Sequence, residues 1–249
     1  MAQETYAVDL PGKILYDKDF EVSIRKITPI EQKYIISLGQ KQQRTNKDYI
    51  EFIRKLVVFN KEDVKLEDLY WFDIQYLLYR IRFTTYAKYP IKLSFKCTNV
   101  KEDGTKCNQD IEKVLDLGNL IINTPDDNPN RTDKITLTNF GETKIRNKIL
   151  GDDLEIDRMC KKLNIKDDDA QMRLLLLDLC LISNGRSLDE MYDLAEKGMI
   201  TAEDTLEIEK WFVDNVWGVK EEMTVTCPAC GKEESREYTL LLEDFFSAF

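Results

Sequence analysis

The sequence predicts an α+β fold in which two mainly helical regions flank a discontinuous pair of β-hairpins. Three observations predict it. Apolar residues recur at helical spacing in two separate regions, and they alternate at strand spacing before Cys97 and before Cys227. The segment "NTPDDNPNRTD" (Asn123 to Asp133), rich in proline, aspartate and asparagine, reads as the best linker or long loop in the chain. The 249 residues are expected to form a single α+β domain over 1–249. Its sub-regions are N-terminal strands and helices at 1–88, a first cysteine hairpin at 89–117, a helical region at 133–218, and a second cysteine hairpin with an aromatic tail at 219–249.

At the N-terminus, "ETYAVDL", the turn "PGK" and "DFEVSIRKI", in which Phe20, Val22 and Ile24 alternate, read as a strand pair. Thr28, Pro29 and Glu31 then supply a hydroxyl cap, a proline whose missing N–H is not needed, and a carboxylate that reaches back, so a helix starts there and runs to about Gln43. Tyr49, Phe52, Ile53, Leu56 and Val57 form the stripe of a second, amphipathic helix. A third is expected from about Leu66 to Tyr86, apolar around most of its girth. Pro90 ends helical geometry, and Ile91, Leu93, Phe95 and Cys97 alternate in a strand that runs to a polar tip and on to Cys107.

After the loop, "KITLTNF" reads as a short strand, and helix is expected from about Glu142 to Trp217. The longest segment there runs from Asp168 to Asn184 and stops at Gly185. Ser187 with Glu190 and Thr201 with Asp204 repeat the start signal of a hydroxyl followed by an acid, and Gly198 and Gly218 are expected to close those two helices. Met223, Val225 and Cys227 alternate into "TVTCPACGKEE", and "ESREYTL" leaves it as another strand. The tail carries Phe245, Phe246 and Phe249, which either pack on the protein's own core or dock into a partner's groove.

Composition narrows the chemistry. With 43% apolar residues there is enough to bury a core, and 36 cationic side chains against 46 carboxylates leave a net charge of -10, which repels phosphate backbones and anionic lipid. The N-terminus lacks the pattern of a secretory signal, and the apolar run Leu174 to Ile182 is too short to span a bilayer and is broken by Asp178. The expectation is a cytosolic protein that does not enter a membrane. There is no histidine, which removes Ser-His-Asp and Cys-His nucleophiles and any imidazole ligand. A metal here must be held by sulfur or oxygen.

Six cysteines without an export signal point to thiols or metal ligands more than to disulfides. Cys97 and Cys107 sit on the two arms of one hairpin, and Cys227 and Cys230 on the tip of another, 120 residues on (227 minus 107). Zinc prefers four ligands in a tetrahedron, and two thiolate knuckles make a closed structural site, so the expected cofactor is one structural zinc per chain held by Cys97, Cys107, Cys227 and Cys230. The hairpins then form a zinc-ribbon-like pair. Two unrelated pairs of reduced cysteines, and a redox C-x-x-C, are the competing readings; a thioredoxin-like motif would start a helix, whereas "GKEESRE" reads as the outgoing arm of a hairpin. Cys160 and Cys180 fall within helices and read as small buried apolar residues.

Other chemistry is weaker. The stretch 79–101 interleaves Arg80, Arg82, Lys88, Lys92 and Lys96 with Tyr79, Phe83, Tyr86, Tyr89 and Phe95, which allows a phosphate-tracking groove or a solvated basic face. "DDNPNRTDKITL" opens like a calcium loop with Asp126, Asn128 and Asn130, but Arg131 replaces the glycine and Leu137 the final glutamate. Glycine-rich phosphate loops do not occur, and no catalytic residues are expected.

From about Thr201 to Phe246 the order is a Thr-capped helix ending "DNVWG", a strand, Cys227-Pro228-Ala229-Cys230-Gly231, a second strand and a terminal "EDFF". This order resembles the baseplate hub assembly proteins of T4-like tailed phages, and the length resembles the larger of the family's two hub assembly proteins. The resemblance implies a non-enzymatic assembly factor, a chaperone or scaffold for the central hub. It would work in the host bacterial cytoplasm with other hub and tail assembly proteins as partners, and its absence from the finished virion is compatible with that role. Only the Cys227 and Cys230 knuckle carries over from the family; the pairing with Cys97 and Cys107 comes from spacing. The competing function is a zinc-ribbon nucleic-acid-binding protein that uses the stretch 79–101, although nucleic acid is not the expected partner.

Overall fold

In the computed structural model, which describes residues 4–40, 46–100, 102, 104–128, 131–166, 168–240 and 246, strand β1 (Thr5–Val8) pairs antiparallel with β2 (Val22–Arg25), with Tyr6 opposite Ile24. Thr28 caps α1 (Pro29–Gln40) as expected. The Glu31 N–H donates to Thr28 Oγ1 at 3.3 Å and the Thr28 N–H donates to the Glu31 carboxylate at 2.9 Å. Arg25 clamps the same carboxylate, and that hydrogen bond is the main reason that Glu31 titrates at about 2.

Helix α2 (Asn46–Arg54) is shorter than its stripe suggests. Val57 belongs instead to β3 (Val57–Phe59), which joins β2 with Val57 opposite Ile24. Two adjacent valines favour extended backbone, and β2 offers an open edge to pair with. A second correction falls at Leu66. The expected long helix is a 3-10 turn over Leu66–Asp68, two extended residues, and then α3 (Trp71–Tyr86). The break is held from far away in sequence: the Trp71 N–H donates to Lys148 O and the Leu150 N–H to Leu69 O, both at 2.9 Å.

The first cysteine hairpin is β4 (Ile91–Lys96) against β5 (Asp110–Leu115), antiparallel, with Phe95 opposite Ile111. After β6 (Ile122–Asn123) come β7 (Lys134–Leu137) and β8 (Gly141–Lys144). Glu142 therefore does not start a helix. Gly141, at φ +64°, turns the chain so that 141–144 return along β7, with Ile135 opposite Thr143.

The helical region comprises α4 (Leu150–Leu163), α5 (Ala170–Leu181), α6 (Leu188–Glu196) and α7 (Ala202–Asp214). Both expected capping boxes form, Ser187 with Glu190 and Thr201 with Asp204. Gly218 does not close α7, which ends at Asn215 with its N–H on Phe212 O. It sits in β9 (Gly218–Val219) at φ +96°, opposite Asn123 of β6, and a Cβ there would lie 2.8 Å from Phe72 Cβ. Glycine is needed because β9 packs directly on α3. The second cysteine hairpin, β10 (Glu222–Thr226) with β11 (Glu233–Glu237), completes an α+β architecture of one three-stranded and four two-stranded sheets among the described residues.

Two hydrophobic cores result. The first gathers β2, α2 and α3 through residues such as Ile24, Phe52, Leu77 and Ile81, and the second gathers α4 to α7 through Ile156, Leu176, Leu179 and Ile208. Helix α4 belongs to both, with Leu150 in the first core and Met159 in the second. Of the aromatic tail, Phe246 is fully buried in the first core, edge-on to Phe52 at 5.2 Å; Phe245 and Phe249 lie outside the described residues. Cys160 and Cys180 are buried in the second core, and burial pushes the Cys180 thiol up to about 12.

Asp178, on the inner face of α5, is 3% exposed and has no hydrogen-bond or ion-pair partner among the described residues. Desolvation first, and the nearby charge of Glu209 second, raise its carboxyl from 3.8 to about 7. A carboxyl raised in the folded state stabilises fully below its unfolded value, and that contribution is lost as pH rises through the folded one. Asp178→Asn should therefore gain on the wild type between about pH 5 and about pH 8. After discounting for solvent screening, the gain is expected to be about 2–4 °C in Tm, equivalent to about 1 kcal/mol in a chain of this length. An offset that is the same at both pH values in thermal melts would show that the buried charge is not the cause.

Candidate metal centre

Each cysteine pair is positioned by its own hairpin. On the first, the Cys97 N–H donates to Gln109 O and the Cys107 N–H to Asn99 O, a bridge pairs Val100 with Lys106, and Gly104 turns at φ +80°. On the second, the Cys227 N–H donates to Lys232 O, the Gly231 N–H to Cys227 O at 2.9 Å, and Gly231 exits at φ +71°, the left-handed conformation its sequence position anticipates. The chain then enters β11, not a helix, as the hairpin reading requires.

The hairpins pack face to face. Ile111 of β5 and Val225 of β10 are buried with Cys97 and Cys227 in a third, small core that continues through Phe95 and Met223 to the first. All four sulfurs lie within 4.8 Å of one another. Cys97 Sγ is 3.6 Å from Cys230 Sγ and Cys107 Sγ is 3.8 Å from Cys227 Sγ, so each close pair draws one sulfur from each hairpin and none is a disulfide. Thiolates about 2.3 Å from one tetrahedral ion stand about 3.8 Å apart, so the donor set fits zinc in both chemistry and spacing.

Backbone N–H groups point at two of the four sulfurs. The Asn99 N–H points at Cys97 Sγ from 3.5 Å, and the Lys232 N–H bonds to Cys230, two residues beyond the cysteine in each case. Cys230, the exposed member, is lowered to about 7, first by that Lys232 N–H and then by the other thiols. Cys97 is raised to about 12: the Asn99 N–H acts to lower it, but burial and three neighbouring thiols outweigh that bond.

Three residues that spacing could not single out tie the hairpins together. Thr98 Oγ1 donates to Glu234 at 2.5 Å, and Arg236 donates to Lys96 O at 2.6 Å while pairing with Glu234. The only available signal was that Thr98 adjoins a cysteine. The basic stretch 79–101, in contrast, does not form one exposed strip. Tyr79 and Arg82 are turned inward by the helical period of α3; Arg82 is 2% exposed, donates to Tyr89 O and stacks over Tyr86. Lys101 lies outside the described residues.

No curated protein and no solved structure matches this chain. A family model described as T4 bacteriophage base plate protein matches residues 5–247, and so spans both cores and both hairpins. The chain belongs to the T4 bacteriophage base plate protein family.

Proposed function

We propose that the chain is a non-enzymatic assembly factor for the central hub of the baseplate, built as one α+β body over 1–249 and stiffened by a structural zinc at Cys97, Cys107, Cys227 and Cys230. Its family gives it a structural or assembly role in a phage baseplate, with other baseplate proteins as partners. The finer reading is carried by the convergence of sulfurs from hairpins 120 residues apart (227 minus 107). A site closed by four thiolates leaves no open position for substrate, so the chemistry zinc supplies here is structural. An assembly factor needs complementary surfaces held in register, which a stiff body provides without a reactive group.

Among the described residues no helix is long and apolar enough to cross a membrane. The proposed place of action is the host bacterial cytoplasm, and the proposed partners are hub and tail assembly proteins. Affinity purification of the tagged chain from infected cells should recover hub components. Recovery of DNA or RNA in their place, released by modest salt, would overturn the assembly reading. Mass spectrometry of purified virions should not find the chain if it acts only during assembly.

A further inference from the structure

A cleft of about 470 Å³ opens between the two cores and is separate from the sulfur cluster. Ile14, Leu15 and Tyr70 line it from the first core's side, and Leu181 and Trp211 from the second. Its walls are pinned by backbone bonds from Ile145 N–H to Asp133 O and from Arg146 N–H to Leu181 O, and by the Trp211 indole N–H on Thr132 O at 2.8 Å. Such a cavity is preformed and of ligand size.

Trp211, Arg146, Thr132 and Asn184 already donate to protein acceptors, whereas the side chains of Asn147 and Tyr70 do not. Asn147 is 8% exposed, lines the cleft, and its side-chain amide has no hydrogen-bond partner among the described residues. The Tyr70 hydroxyl likewise has none; burial raises it, Arg146 and Arg131 pull against that rise, and the Asp73 charge adds to it. Arg131 and Lys144 stand exposed on the rim without an ion-pair partner among the described residues, and Asp133 is the one acid in the lining. Arg146 is held bidentate by Asp152, so neither its fork nor its charge is free for a ligand. The Asn147 amide and the Tyr70 hydroxyl, facing the cleft without a protein partner among the described residues, can donate to an acceptor brought from outside.

We propose that this cleft is a carboxylate-binding pocket that takes an acidic peptide segment, with Asn147, Tyr70, Arg131 and Lys144 donating to the carboxylate and Ile14, Leu15, Leu181 and Trp211 covering its apolar neighbours. A long polyanion would meet the repulsion of the whole acidic surface, whereas one carboxylate on a peptide meets only the local positive field. The pocket stands on its own residues; only the expectation that the peptide comes from a baseplate protein rests on the assembly reading.

The test is a titration of the intact, zinc-loaded chain followed by the Asn147 side-chain amide and Trp211 indole resonances. The probes are acetyl-Leu-Glu-Leu-amide, acetyl-Leu-Gln-Leu with a free terminal carboxylate, acetyl-Leu-Gln-Leu-amide and inorganic phosphate. Saturable shifts are expected with at least one carboxylate peptide, and which of the two binds tells a side chain from a chain terminus. The neutral peptide should bind about tenfold more weakly or worse, and Arg131→Ala and Lys144→Ala, both at exposed positions, should each weaken the carboxylate peptide by up to about tenfold. Equal binding of the neutral peptide, shifts from phosphate alone, or indifference to both rim substitutions would each overturn the pocket. This titration is independent of co-purification, so it can fail while the assembly reading stands, and the reverse.

Discussion

Serine at any one of Cys97, Cys107, Cys227 or Cys230 should reduce bound zinc from about one ion per chain to near none and unfold or misassemble the protein. The size of the effect follows from what the ion would join. Apparent zinc-binding free energies in finger peptides are about 10–16 kcal/mol, comparable with the whole stability of an ordinary domain at about 5–15 kcal/mol. The small core beneath the sulfurs, Ile111 with Val225, cannot replace it, because two isolated hairpins bury too little to hold themselves. Metal analysis and circular dichroism of the purified variants check this. Cys160→Ser and Cys180→Ser, in the second core, should retain the metal and lose only packing. Full metal retained in Cys97→Ser would break the shared site, and a metal-free wild type would remove it altogether.

Phe246→Ala should cost about 3–5 kcal/mol, the usual penalty for emptying a buried phenylalanine site, and lower Tm by about 10 °C. The ring is fully buried and meets Phe52, itself fully buried, edge-on. Its loss removes a contact between the end of the chain and α2. Phe246→Leu should restore most of the Tm, since it refills much of the volume. The competing fate of the tail, docking into a partner, has a different signature: an unchanged Tm with loss of hub proteins from the affinity eluate. Differential scanning calorimetry of both variants beside the purification distinguishes the two.

Read alone, the residues determined what depends on near neighbours. Thr28 with Glu31, Ser187 with Glu190 and Thr201 with Asp204 are capping boxes because the bonding groups lie three positions apart, within reach of one turn. The cysteine knuckles were legible for the same reason: a thiol and a turn glycine at short spacing can be recognised wherever they occur. Pairing the knuckles required one further physical premise, that zinc wants four ligands, and the sulfurs do stand together.

Only the tertiary structure decided the features whose partner is distant. Val57 is a strand because Ile24 lies beside it, and the expected long helix breaks at Leu69 because backbone 148–150 bonds to it. Thr98 meets Glu234, and Asn147 shares a cleft with Tyr70 and Trp211, through folding alone. Local periodicity carries no information about such pairs. A hydrogen bond or a packed ring depends on separation in space, which the folded chain sets and sequence spacing does not.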